Sequence, residues 1–260
     1  MERKTYPTDL TDAQWKLVEP LLPEAKPGGR PRSVDLREAL DGVFYVVKGG
    51  VPWRMLPHGL PPWGTVHFDY RNRRLDGTWA KILDVLRTRL RHAEGRHKSP
   101  SAAAVDSRSV PTAEGGTGRV YDAGKRAPGR KRHIVVDTMG LLLAMVVHSA
   151  SVQDRDGVKV VTAGLKARFP RLRLIWADGA DAAAVGWAQQ SGRFVLELVR
   201  KPADQKGFVL LPRRWVVARS FAWLVRCRRL ARDDERLTAS SEAMVHVAMI
   251  RLMLRRLKPA

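Results

Sequence analysis

Along the first ninety residues apolar side chains return at helical spacing. Leu10, Trp15, Leu17, Val18, Leu21 and Leu22 recur on one side of a helix behind Thr8, Asp9 and Thr11, which can cap it. This predicts a first helix over 10–22. The stretch PEAKPGGRPRS, 23–33, breaks the pattern with Pro, Gly and positive charge, and reads as a linker able to track phosphates. The pattern resumes in DLREALDGVFYVVKGG, a second helix that should stop at Gly49 and Gly50. After the turn-rich VPWRMLPHGLPPWGT, helices are expected from about Thr65 and from about Gly77 to His92. Such a set forms a small helical module with a helix-turn-helix-like unit, in which Arg54, Arg71, Arg73 and Arg74 are candidate DNA contacts. Trp15, Trp53, Trp63 and Trp79 read as core fillers rather than base-stacking platforms.

The pattern changes at HAEGRHKSPS, and from Ser101 short apolar runs alternate with turns. AAAVDSRSV predicts a short strand with an acidic residue at its end. KRHIVVDTMGLLLAMVVHSA predicts two strands turning at Met139 and Gly140. Helical DRDGVKVVTAGLKARF, strand RLRLIWAD, helical DAAAVGWAQQSG and strand RFVLELVRK follow, then long helices in RRWVVARSFAWLVRCRRL and over 240–257. Strand, hairpin, helix, strand, helix, strand, helix is the order of a ribonuclease-H-like fold with a mixed central sheet. The expected architecture is therefore α/β (α+β), with a helical DNA-binding leader over 1–95 and the sheet-bearing domain over 100–260.

Composition supports a folded chain, with 44% hydrophobic and 28% charged residues. The charge balance narrows its partners. Lys and Arg number 47 against 26 Asp and Glu, a net charge of +21, and a field of that sign and size favours polyanions, nucleic acid foremost. The single cysteine, Cys227, allows neither a disulfide framework nor a cysteine zinc site, which suits a reducing cytoplasm. The longest apolar run, Leu141 to Val147, is too short to span a bilayer, and the first residues have no signal-peptide core, so a cytoplasmic, nucleoid-associated protein is expected.

The candidate chemistry lies in two aspartates at strand ends: Asp106 after AAAV, and Asp178 after LIWA. Carboxylates fixed on neighbouring strands repel unless a cation lies between them. A hard divalent ion relieves that repulsion, and a pair of ions about 3.5 to 4 Å apart can serve phosphodiester cleavage. Lys125, Arg126, Arg130, Lys131, Arg132 and His133 read as a basic surface turn for phosphate contact. His133 has no second histidine at ligand spacing. Asp181 reads as a helix cap, and Asp137, Asp154 and Asp156 as turn caps or partners of nearby arginines.

The segments AVDSRSV, VYDAGKRAPGRKRHIVVDTMGLLLAMVVHSASVQDRDG, RLRLIWADG, KGFVLLPRRWVVARSFAWLVRCRRLARDDERL and SEAMVHVAMIRLMLRRL, with LTDAQWKLVEPLLP and GVPWRMLP near the start, resemble the insertion-sequence-five group of DDE transposases. The resemblance runs over nearly the whole chain. It implies binding of element ends, then metal-dependent DNA cleavage and strand transfer by an Asp, Asp, Glu triad around Mg2+ or Mn2+ in a two-metal site. By motif position the first two acids are Asp106 and Asp178. The group's helix motif resembles RRWVVERTFAWL, whereas this chain reads RRWVVARSFAWL, so Ala218 stands at the expected glutamate. Arg213, Arg214 and Arg219 fall in the basic signature that the resemblance places on element ends. Joining two ends implies a homodimer or higher assembly on double-stranded DNA. Impaired catalysis is expected from Ala218, the alternative being a catalytically dead DNA-binding remnant or a repressor of transposition.

Overall fold

The computed structural model describes residues 3–24, 28, 34–113, 120–122, 127–200 and 211–257. The chain divides into two compact units. One comprises 1–93, 225–231 and 243–260, the other 94–224 and 232–242. Division is therefore not a single cut near residue 95. Two C-terminal segments group with the N-terminal helices.

In the helical unit, α1 (Asp12–Val18) starts at a capping box in which the Thr11 hydroxyl accepts from the Gln14 N–H and the Gln14 side chain accepts from the Thr11 N–H. A 3-10 turn, Glu19–Leu21, continues it. Helix α2 (Leu36–Gly49) is capped by Asp35 and stopped by Gly50 at φ 74. A Cβ on Gly50 would lie 2.7 Å from Arg228 Cβ, so both the backbone conformation and the close approach require glycine. Helices α3 (Trp63–Leu75) and α4 (Thr78–Ala93) follow, joined by Asp76 and Gly77.

Val43, Phe44, Val47, Tyr70, Trp79 and Ile82 form much of this unit's buried interior. Of the four tryptophans only Trp79 is fully buried, and its indole N–H donates to the Tyr70 carbonyl. Trp15 and Trp53 are half-buried, while Trp63 is exposed beneath the Arg54 guanidinium. Arg73 departs from its expected role as a DNA contact. Its guanidinium is buried, grips Asp69 through two hydrogen bonds of 2.6 and 2.8 Å, and lies over Trp79. The i,i+4 spacing on α3 creates that pair, which the basic run NRR hides.

The second unit is built on a six-stranded sheet. Strands β1 (Ala102–Pro111) and β3 (Ala127–Asp137) pair antiparallel along almost their whole length. The other edge of β3 takes β2 (Val120–Asp122) and β4 (Leu142–Ser149). On the far side of β1 come β5 (Leu174–Ala177) and β6 (Val195–Leu198), both parallel. The result is the mixed sheet of a ribonuclease-H-like core. Between β4 and β5 run α5 (Asp154–Thr162) and the short α6 (Leu165–Arg168). Between β5 and β6 a 3-10 turn, Gly179–Ala184, leads into the one-turn α7 (Val185–Trp187) and a π turn, Ala188–Gly192. Val105, Val135, Val158, Val161, Ile175 and Leu196 share the main apolar cluster. Each such side chain contributes about 1.5–3 kcal/mol by leaving water.

Helix α8 (Trp215–Val225) is shorter than expected and gives way to a 3-10 turn, Arg228–Leu230. Helix α9 (Thr238–Leu257) starts in the sheet unit, and its residues from Ala243 onward belong to the helical one.

Candidate active site

Parallel pairing of β1 with β5 matches Ala102 to Leu174, Ala103 to Ile175 and Ala104 to Trp176. Extended two residues, the same register sets Asp106 beside Asp178. Asp178 stands just past β5 and caps the following 3-10 turn, its carboxylate accepting from the Gly179 N–H. Asp106 differs from expectation. It sits in the middle of β1, because antiparallel pairing with β3 carries that strand on to Pro111. Gly129 permits the last of that pairing, since a Cβ there would lie 2.1 Å from the Val110 carbonyl oxygen.

One cation joins the two carboxylates. Arg214 Nη2 is 2.6 Å from Asp178 Oδ2 and 3.4 Å from Asp106 Oδ2, while Asp106 Oδ1 accepts from the Ser107 N–H at 2.8 Å. Two hard oxygen donors thus converge on a single positive charge, the donor chemistry that suits a divalent ion completed by water or phosphate oxygens. Among the described residues no group of three or more His, Cys, Asp or Glu side chains is arranged to hold a metal.

Helix α8 is fastened to the turn between β3 and β4. Asp137 shapes that turn by accepting from the Met139 and Leu141 N–H groups. The Ser220 hydroxyl donates to the Gly140 carbonyl, and Arg219 donates to the Met139 carbonyl. Gly140 has φ 81, and a Cβ there would meet Ser220 and Trp223 at 2.8 Å. Ala218 lies on the exposed side of α8, one turn beyond Arg214. Its methyl offers no donor.

The three arginines that the resemblance places on element ends do not share one exposed face. Arg213 is exposed, near Glu197 and over the Trp176 ring. Arg214 points to the aspartates. Arg219 is held between Trp215 and Trp223, its guanidinium carbon 4.3 and 4.6 Å from their ring centres.

The surface turn expected over 125–133 is corrected more sharply. Lys125 and Arg126 lie outside the described residues. Arg130, Lys131, Arg132 and His133 are all buried within β3. Strand alternation sends them to opposite faces. Arg130 donates to Asp233 Oδ2 and to the Glu235 and Arg236 carbonyls, and Arg132 reaches Ser241 and Asp233. Burial pushes the Arg132 guanidinium below its ordinary pKa, with Asp233 opposing the shift. On the other face Lys131 Nζ donates to the Val152 carbonyl and lies 3.0 Å from Asp154 Oδ1.

That second face holds a polar cluster that sequence reasoning missed. The His148 ring stacks on His133, with His148 Nε2 2.8 Å from His133 Nδ1. His148 Nδ1 is 2.8 Å from the Ser149 carbonyl and so carries a proton, leaving Nε2 to accept from His133. His133 Nε2 faces Asp154 Oδ1 at 3.6 Å, and Asp154 also accepts from the Ser107 hydroxyl. Burial holds the His148 pKa below its ordinary value; the Ser149 carbonyl raises it, Lys131 lowers it and Asp154 raises it. Spacing in the chain hides this pair. Only the β3–β4 register, which sets Lys131 opposite His148, brings the rings together.

Asp181 completes a capping box by accepting from the Asp178 N–H. Burial is the main cause that pushes its carboxyl up to about 7. The Asp178 N–H opposes the shift, and Asp154, Asp106 and Asp178 add to it.

Comparison with known proteins bears on this arrangement. A model of the transposase DDE domain matches residues 97–253, and a model of IS4/5-family transposases matches 10–83. The chain is 35% identical over 113 residues to the uncharacterized 16.2 kDa protein of insertion element IS402 from Burkholderia cepacia, covering 39% of this chain and 71% of that one. It is 32% identical over 134 residues to a protein named as a candidate transposase for insertion sequence element IS402 from the same organism, covering 48% of this chain and 60% of that one. The chain belongs to the DDE transposases of the IS4/5 family. No helix among its described residues is long and apolar enough to cross a membrane.

Proposed function

We propose that the chain binds the terminal inverted repeats of its own insertion sequence and carries a metal-dependent cleavage and strand-transfer site formed by Asp106 and Asp178, with activity impaired by Ala218. The observation that carries this reading is the convergence of the two carboxylates on one cation. Mg2+ or Mn2+ bound there would polarise a phosphoryl oxygen and activate the attacking oxygen. Asp106 is held within β1 by its pairing opposite Ile134 of β3, and Asp178 at the end of β5 by its capping box, so neither carboxylate must be ordered during reaction. Position 218 lies on the helix that also begins beside Arg214, and alanine there supplies no third oxygen ligand for a two-metal site.

Arg213 is the exposed member of the arginines on this side and serves as a phosphate contact, with Arg214 and Arg219 acting from more protected positions. The net charge of +21 supplies the general attraction for duplex DNA. Assembly as a dimer or higher oligomer on two ends goes with this reading. With Mg2+ or Mn2+, cleavage of end-bearing duplex is expected to be slow and to rise at least tenfold in Ala218→Glu. Equal rates in the two proteins would place the third ligand elsewhere. A second reading, a DNA-binding remnant or repressor, is favoured by Ala218 itself; end binding with no cleavage even in Ala218→Glu would select it.

A further inference from the structure

We propose that Arg214 is an internal competitor for the cation site, closing Asp106 and Asp178 into an ion pair that a divalent ion must displace. The inference rests on the reading of those aspartates as the cation-holding pair. One guanidinium nitrogen serves both carboxylates, at 2.6 and 3.4 Å, and the Arg214 side chain is 18% exposed. It is therefore sheltered from bulk water without being sealed off. Two fixed negative charges are stabilised by any cation placed between them. The guanidinium supplies one positive charge where a divalent ion supplies two, so the ion can win while the arginine lowers its apparent affinity.

The chain's local backbone sets the arginine there. Arg213 adopts a left-handed conformation, φ 68, at the entry to α8, with its side chain over Trp176 and near Glu197. Non-glycine residues adopt that conformation at a cost, so the turn that aims Arg214 at the aspartates is a specified feature. Ala218 strengthens the arginine's hold. A glutamate at 218, in the first turn of α8 just after Arg214, would offer Arg214 a competing carboxylate and draw it from the aspartates. Alanine offers none, so the residue change at 218 and the closure by Arg214 act in the same direction.

Mn2+ binding to the full chain without DNA, read as free Mn2+ by electron paramagnetic resonance at constant ionic strength, tests this. Arg214→Gln should bind Mn2+ about tenfold more tightly than the wild type, a factor that 1.4 kcal/mol represents. Arg214→Lys, which keeps the charge, should stay within about twofold to threefold of it. Equal or weaker binding by Arg214→Gln overturns the proposal. Undiminished binding by Asp106→Asn overturns instead the carboxylate-pair reading on which it rests. A measurement on the wild type guards against a misfolded variant. Adding Mg2+ should move the Arg214 Nε nuclear magnetic resonance signal, and an unmoved signal at saturating Mg2+ overturns the proposal independently.

Discussion

Asp41 shows burial setting the chemistry of one side chain. It is buried in α2, accepts from the Leu10 N–H at 2.7 Å and lies 3.8 Å from Arg3. Desolvation pushes its carboxyl up to about 7; the Leu10 N–H opposes the shift, Asp9 and Glu38 add to it and Arg3 opposes it. A carboxyl whose folded pKa lies above its unfolded value stabilises most when protonated, and that contribution is lost as pH rises from about 4 through about 7. Asp41→Asn should therefore match the wild type near pH 4 and gain on it as pH rises towards 7, exceeding it by at least about 1–2 kcal/mol at pH 8 in urea unfolding. His148 has the opposite slope. Its folded pKa lies below the unfolded value near 6.5, so its contribution is intact above that value and declines as pH falls beneath it. Replacing His148 by Gln should flatten the decline in melting temperature between pH 7 and 5. Neither group could be singled out in the sequence, because each shift arises from partners on other elements.

At the scale of elements, β3 separates what was legible from what was not. Its apolar half, IVVD, and the turn at Met139 and Gly140 follow from alternation and turn chemistry. Its basic half, RKRH, looks like solvated surface because the carboxylate that neutralises Arg130 lies at Asp233, on a distant segment of the chain. Both side chains of that pair are fully buried, so removing one strands the other. Asp233→Ala should cost about 3–5 kcal/mol, and pairing it with Arg130→Met should recover part of the loss in urea denaturation. Helix α5 makes a similar demand. A Cβ on Gly157 would lie 2.2 Å from His133 Cε1, so Gly157→Ala must move either the helix or the imidazole, at about 1–3 kcal/mol. The His148 ring protons would report the displacement by nuclear magnetic resonance.

For the whole molecule, the order of elements in the sheet unit was readable because β4, β5 and the apolar ends of β1 and β3 are short apolar runs set off by turns, whereas the three-residue β2 carries no such signal. Asp106 and Asp178 were readable as a pair because both follow such runs on strands that the fold makes neighbours. The grouping of 225–231 and 243–260 with the N-terminal helices was not, since it depends on apolar residues of α9, among them Met244, Val247 and Ile250, that carry no mark of which unit buries them. The charge of +21 predicts that duplex affinity falls steeply as salt rises from about 50 to 200 mM, and a filter-binding series would read that slope. Under the proposed function, Ala218 limits how much chemistry accompanies binding. The most direct measurement of the central claim is single-turnover cleavage of an end-bearing duplex with Mn2+ by Ala218→Glu, compared with the same protein also carrying Asp178→Asn. Cleavage by the first, and a loss of at least a hundredfold in the second, is the result expected if Asp106, Asp178 and position 218 form one site. Equal cleavage by the two proteins would contradict it.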